Sequence, residues 1–160
     1  MSNELEKLID ENAIREVVIQ YATGIDMRNW ELYRACFTDT VEIDFSSWSG
    51  GESQIMPGDT WANNVRMGLS GFTSTQHIST NHVITIDEHD AKCVSYMQAK
   101  HFFPNDQGDN SYTLGGYYTN TLIKTGQGWK ISKCQLTVTW SEGNKQIFEL
   151  AQQNFQNTTS

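Results

Sequence analysis

The chain has 160 residues, enough for one domain with a sizeable core, and a formal net charge of −8 at pH 7. That charge, with no Lys/Arg cluster to offset it, argues against nucleic-acid binding by phosphate neutralisation and against docking on an anionic membrane surface. No segment reaches the roughly eighteen apolar residues of a membrane span. The acidic start Met1-Ser2-Asn3-Glu4 does not read as a secretion signal, so a cytoplasmic protein is expected. Cys36, Cys93 and Cys134 are odd in number and show no C-x-x-C spacing, which reads as free thiols.

In chain order, a helix is expected to open near Asn3, with Glu6 completing a capping box and Leu5, Leu8 and Ile9 facing inward. The pattern is clearest from Ile14 to Phe37. Ile14, Val17, Val18, Tyr21, Ala22 and Ile25 recur at steps of three and four and paint one apolar stripe down a helix. Asp26 stands at the border of that stripe, and a second short helix follows with Asn29 as cap and Trp30, Tyr33 and Phe37 as its buried side. Val41, Ile43 and Phe45 alternate with Glu42 and Asp44 as a half-buried strand. Ser46 to Met56 reads as a Ser/Gly-rich loop carrying Trp48. Pro57 and Asp59 open a helix with Trp61, Val65 and Leu69 on one side, ended by Gly68 and Gly71.

From residue 75 the texture changes. Residues 75–87, 91–103, 112–124 and 129–140 are rich in β-branched and aromatic residues and are separated by turn chemistry, which predicts four sequential strands in a twisted antiparallel meander. A last helix after Gly143 buries Ile147, Leu150, Ala151 and Phe155, and the tail after Gln156 is expected to be loose. Helices first and a curved sheet afterwards make an α+β fold, with N-terminal helices packed on a strongly curved antiparallel sheet that closes into a cone with an internal pocket.

The segments Ala13-Ile14-Arg15-Glu16-Val17-Val18 and Tyr21-Ala22-Thr23-Gly24-Ile25-Asp26, with Trp30 and Phe37, resemble the SnoaL-like family. So do Gln76-His77 with Asn81-His82, Gly115-Gly116-Tyr117-Tyr118 and Gly128-Trp129-Lys130-Ile131. Residues 1–160 then form a single domain with a core from about residue 8 to 151, in the nuclear transport factor 2-like fold. The resemblance implies a cone with the active pocket inside and a homodimer or homotrimer formed through the open sheet face. Its members include scytalone-dehydratase-like and bile-acid-dehydratase-like lyases, polyketide cyclases, isomerases and non-catalytic oxygenase β subunits. The dehydratase-like pattern places its tyrosine on Tyr21, its aspartate on Asp26 and its central histidine on His77, with a further polar residue near His101. Where one lyase branch has an aspartate, this chain offers Ala99, Lys100 or His101 depending on register.

An imidazole near neutral pKa takes and returns a proton at working pH, and a carboxylate on its other nitrogen fixes the tautomer. Asp26 and His77 are therefore the expected dyad. Tyr21 lies about 140° around the helix from Asp26 and would lean in to polarise a carbonyl oxygen. Asp26 as a plain helix-end residue and His77 as a satisfied core histidine form the competing reading. His101 shares strand parity with Cys93, Ser95, Met97 and Ala99, which suits a cavity wall and an acid for a departing hydroxyl. His82, five residues from His77, points to the opposite face unless a bulge intervenes. Phe45, Trp48, Met97, Tyr118 (or Tyr117) and Trp140 are candidate substrate-binding residues; aromatics at alternating strand positions are more often core than ligand platform. Gly115-Gly116 reads as a bend that lets a strand curl.

No H-x-H or H-E-x-x-H pattern occurs, and no nucleophile elbow, so neither metal nor cofactor is expected. The expected function is a cofactor-free lyase, dehydratase or isomerase on a hydrophobic carbonyl compound, working by acid–base catalysis. The alternatives are a ligand-binding or oligomerisation module of the same fold and a structural oxygenase subunit.

Overall fold

A computed structural model describes residues 2–159. Helix α1 (Ser2–Asp26) is one continuous rod rather than two pieces. Its C-terminal half buries Ile14, Val18, Tyr21, Ala22 and Ile25, as the stripe predicts. Its N-terminal half departs from expectation, because Leu5, Leu8 and Ile9 are 60%, 62% and 58% exposed. The helix ties to the sheet at Asp10, which accepts hydrogen bonds from Trp129 Nε1 and Lys124 Nζ at 2.9 Å each. Periodicity identifies an apolar face but not whether anything covers it.

Helix α2 (Trp30–Ala35) is capped by the Asn29 side chain, which accepts from Leu32 N. Gly24 lets the two helices touch, since a Cβ there would sit 2.9 Å from Tyr33 Cβ. Strand β1 (Phe37–Asp44) leads to a short helix α3 (Ser46–Ser49), strand β2 (Gln54–Pro57) and helix α4 (Gly58–Leu69). The segment expected as a loop thus contains a helical turn and an edge strand. The Asp44 carboxylate nucleates that turn by accepting from the Ser46 amide and hydroxyl.

Four long strands follow: β3 (Ser74–Asp87), β4 (Asp90–Phe102), β5 (Ser111–Thr125) and β6 (Gly128–Gly143). They pair in sequence as the predicted antiparallel meander. The full order is β2-β1-β6-β5-β4-β3, and β1 runs parallel to β6, so the six-stranded sheet is mixed rather than purely antiparallel. Two of the sheet's register shifts bend the strands around the cone. One lies at Gly115/Gly116, where a Cβ on Gly116 would collide with the Thr137 carbonyl, so only glycine allows so close a strand crossing. The other lies on β3, where Thr80 pairs with Tyr96 but Val83 pairs with Val94, leaving one extra residue. Asn81 takes that bend at φ +55°.

Helix α5 (Ile147–Thr159) buries Ile147 and Ala151 and closes the open end beside α4; it continues past Gln156, where a loose tail was expected. Helices on one face of a curved sheet make the expected α+β cone. Cys36, Cys93 and Cys134 are free and buried. No helix among the described residues is long and apolar enough to cross a membrane.

Candidate functional site

The cone encloses a cavity of about 300 Å³. Tyr21 and Ile25 of α1 reach it from below, and His77 of β3 stands on the concave sheet face that forms its floor.

 

Ala99 and His101 of β4, Leu114 and Tyr118 of β5 and Leu136 of β6 supply that floor, while Trp61, Val65 and Leu69 of α4 and Phe148 of α5 form the roof. Phe45 and Trp48, at the α3 corner, line the mouth.

His77 lines this cavity, and Asp26 meets it from behind although the two lie 51 residues apart. His77 Nδ1 is 2.7 Å from Asp26 Oδ1, and the His77 backbone N–H donates to Asp26 Oδ2 at 2.7 Å. The Thr75 hydroxyl adds a third bond, to Asp26 Oδ1 at 2.9 Å. The carboxylate ends α1 and these donors start β3, so the seam between the two elements positions both members of the pair. Burial alone would push the Asp26 carboxyl up. The His77 ring, the His77 amide and Thr75 outweigh it and hold the group below its ordinary value of 3.8. With Nδ1 engaged by the carboxylate, Nε2 is the nitrogen left to exchange a proton with a bound molecule.

Tyr21 lies one and a half turns before Asp26 and still reaches the cavity, with its hydroxyl 3.2 Å from that of Tyr118. Burial raises both phenols well above their ordinary value, so each stays a neutral hydrogen-bond donor. His101 is 3% exposed, and its ring centroid stands 5.5 Å from that of His77. It packs between Phe72 and Phe148, and burial, reinforced by the neighbouring His77, pushes its pKa down to about 3. Its buried Nδ1 has no hydrogen-bond partner among the described residues. Burial likewise lifts the Cys36 thiol to about 12 and the Cys93 thiol to about 11, which leaves them unreactive.

Of the residues expected at the site, Tyr21, Asp26, His77 and His101 come together, and Phe45, Trp48 and Tyr118 line the same cavity or its mouth. Met97 and Trp140 do not line it. Met97 is buried in the floor behind His77, and Trp140 lies on the outer face against Gly115, 44% exposed. The register shift beside Gly115 is what carries Trp140 away. The β3 bulge brings His82 to the inner face with His77, where its Nε2 meets the Ser79 hydroxyl at 2.9 Å.

Sequence reasoning missed Thr75, Arg28 and the roof residue Phe148 as parts of the site. A phase change in β3 was visible, since Thr75, His77 and Ser79 share one parity and His82, Ile84 and Ile86 the other. Among the described residues no cluster of three or more His, Cys, Asp or Glu side chains could hold a metal ion.

Residues 6–135 match the profile of the SnoaL-like domain. No curated protein matches the chain. Among solved structures, the Kfla4162 protein from Kribbella flavida is 29% identical with a TM-score of 0.83, the match covering 91% of this chain and 98% of that one. A provisionally assigned scytalone dehydratase from Novosphingobium aromaticivorans is 23% identical with a TM-score of 0.74, over 89% of this chain and 91% of that one. The type 3 hexachlorocyclohexane dehydrochlorinase LinA from Novosphingobium barchaimii is 16% identical with a TM-score of 0.72, over 89% and 94%. The two more distant matches speak to the fold alone, which is the nuclear transport factor 2-like one.

Proposed function

The chain belongs to the SnoaL-like family, and from that premise we propose that it is a cofactor-free lyase that removes water from a compact, hydrophobic β-hydroxy carbonyl compound. The observation that carries this reading is the Asp26–His77 pair, whose 2.7 Å contact stands at the wall of a largely apolar cavity. Distant structural matches named as a scytalone dehydratase and a dehydrochlorinase, both of which name eliminations, support the same reaction class.

In this reading the substrate carbonyl accepts from the Tyr21–Tyr118 phenol pair. His77 Nε2 takes the proton from the carbon beside it, and the electron pair of that C–H bond moves toward the carbonyl oxygen as an enolate. Asp26 stabilises the imidazolium so formed. Collapse of the enolate expels the β-hydroxyl, and the His77 imidazolium returns its proton to the departing oxygen, releasing water. His101, kept neutral by burial, holds that hydroxyl by a hydrogen bond instead of serving as a resting acid. The low dielectric of the cavity strengthens each of these bonds.

The test is turnover of 3-hydroxy-1-tetralone, whose loss of water gives fluorescent 1-naphthol. The wild-type chain should accelerate it, and His77→Ala should slow it by about 10²–10⁴ with folding intact. Equal rates in wild type and variant, or no acceleration with the ketone bound, contradict the proposal. We also propose self-association through the outer sheet face, where Ile78, Tyr96 and Trp140 are 45%, 59% and 44% exposed. Light scattering should then give a dimer or trimer mass that Tyr96→Lys reduces to the monomer.

A further inference from the structure

Helix α1 ends on a residue of the wrong type for its backbone. Arg28 N donates to Ile25 O at 3.1 Å and Asn29 N to Gly24 O at 2.8 Å, the paired bonds of a Schellman turn. The residue that must be left-handed in such a turn is Arg28, at φ +54°. Glycine takes that conformation at no steric cost, whereas a residue with a Cβ gives up about 1–2 kcal/mol.

The side chain offers a reason. Its guanidinium folds back and donates to Ile25 O at 2.7 Å and to Thr75 Oγ1 at 2.9 Å, with a longer bond to Phe72 O at 3.4 Å. The bond to Thr75 settles a direction. Arginine only donates, so the Thr75 oxygen accepts, and its single proton is committed to Asp26 Oδ1 at 2.9 Å. The guanidinium also covers a terminal carbonyl of α1, which offsets the negative helix end that a carboxylate at Asp26 faces.

We propose that Arg28 is a positioning residue of the acid–base pair: by polarising the Thr75 hydroxyl it fixes the Asp26 carboxylate, and through it the His77 ring, in the orientation that proton transfer needs. This rests on the acid–base reading of Asp26 and His77 above. An arginine that merely capped the helix would reach Asp26 through its charge alone, and removing it would add the same shift whether or not Thr75 carries its hydroxyl.

The experiment compares Arg28→Gly and Thr75→Val with the conservative Arg28→Lys and Thr75→Ser. The first readout needs no turnover: titration of the Asp26 carboxyl by ¹³C NMR, with His77, Thr75 and Arg28 as the groups facing it and His101 the next titratable ring. Asp26 should titrate higher in Arg28→Gly and in Thr75→Val, and stay near wild type in Thr75→Ser. The double variant Arg28→Gly/Thr75→Val should move it no further than Thr75→Val alone. The second readout is turnover of 3-hydroxy-1-tetralone, where kcat should fall by about tenfold in Arg28→Gly at unchanged KM. An unmoved Asp26 titration in folded Arg28→Gly overturns the proposal, whatever the turnover. A moved Asp26 titration in Arg28→Gly that moves no further in the double variant, beside a wild-type chain that turns nothing over, supports the positioning role and sinks only the lyase reading.

Discussion

The two histidines of the concave face are held in opposite ways. His77, on the α1–β3 seam, has both its ring and its amide on one carboxylate, which also accepts from Thr75, a hydroxyl that in turn accepts from Arg28. His101, one strand away, sits among Phe72, Phe148 and Tyr112 with a buried Nδ1 that has no partner among the described residues. A buried nitrogen without a partner costs about 1–3 kcal/mol, which a ligand hydroxyl would recover. The seam commits its hydrogen bonds to orientation, while the neighbouring strand leaves one ring nitrogen uncommitted.

The largest effect should come from breaking the seam. Asp26→Asn keeps the size of the side chain but removes the charge that stabilises an imidazolium, so turnover should fall by about 10²–10³ in a steady-state assay. Next comes the wall. The His101 pKa is about 3 in the fold against 6.5 ordinarily, so below pH 6.5 the unfolded chain binds a proton that the folded one refuses. Stability should therefore decline steadily as pH falls from 6.5 toward 3 on account of this residue. His101→Phe should flatten that slope in urea titrations. Asp26 acts in a different window. Its folded pKa lies below 3.8, so its contribution is present above that value and is lost only as pH falls through the folded one. Between pH 4.5 and 6.5, then, the slope belongs to the two histidines whose pKa burial lowers, His101 foremost and His82 after it.

Tyr118→Phe is a smaller test of the same contrast. It removes one of two phenols 3.2 Å apart, and should cost about tenfold in kcat while Tyr21 remains. The smallest effect should be Asp10→Ala, far from the cavity, which frees Trp129 Nε1 and Lys124. Thermal unfolding should show a loss of about 1 kcal/mol with turnover unchanged.

The seam and the wall were unequally legible in the sequence. The four long strands declare themselves by alternation, and His101 falls inward with Cys93, Ser95 and Ala99 because nothing interrupts that strand. Asp26 and His77 were named from residue chemistry and family resemblance, while their meeting depends on a helix crossing a strand 51 residues later. Arg28 and Thr75 gave no signal, because a left-handed arginine looks like any other arginine until the turn is seen. The parallel pairing of β1 with β6 is decided by neighbours distant in sequence, which a local pattern does not record. Leu5, Leu8 and Ile9 show the converse, an apolar spacing that no part of the described chain covers.

The central claim is that His77, oriented by Asp26, removes a proton beside a carbonyl held in the cavity. Deuterium exchange isolates that step from any loss of water. With 2-tetralone in D₂O, wild-type protein should speed exchange of the protons beside the carbonyl, read by proton NMR, and His77→Ala should return it to the background rate with the ketone still bound. Exchange at equal rates in the two proteins would contradict the account.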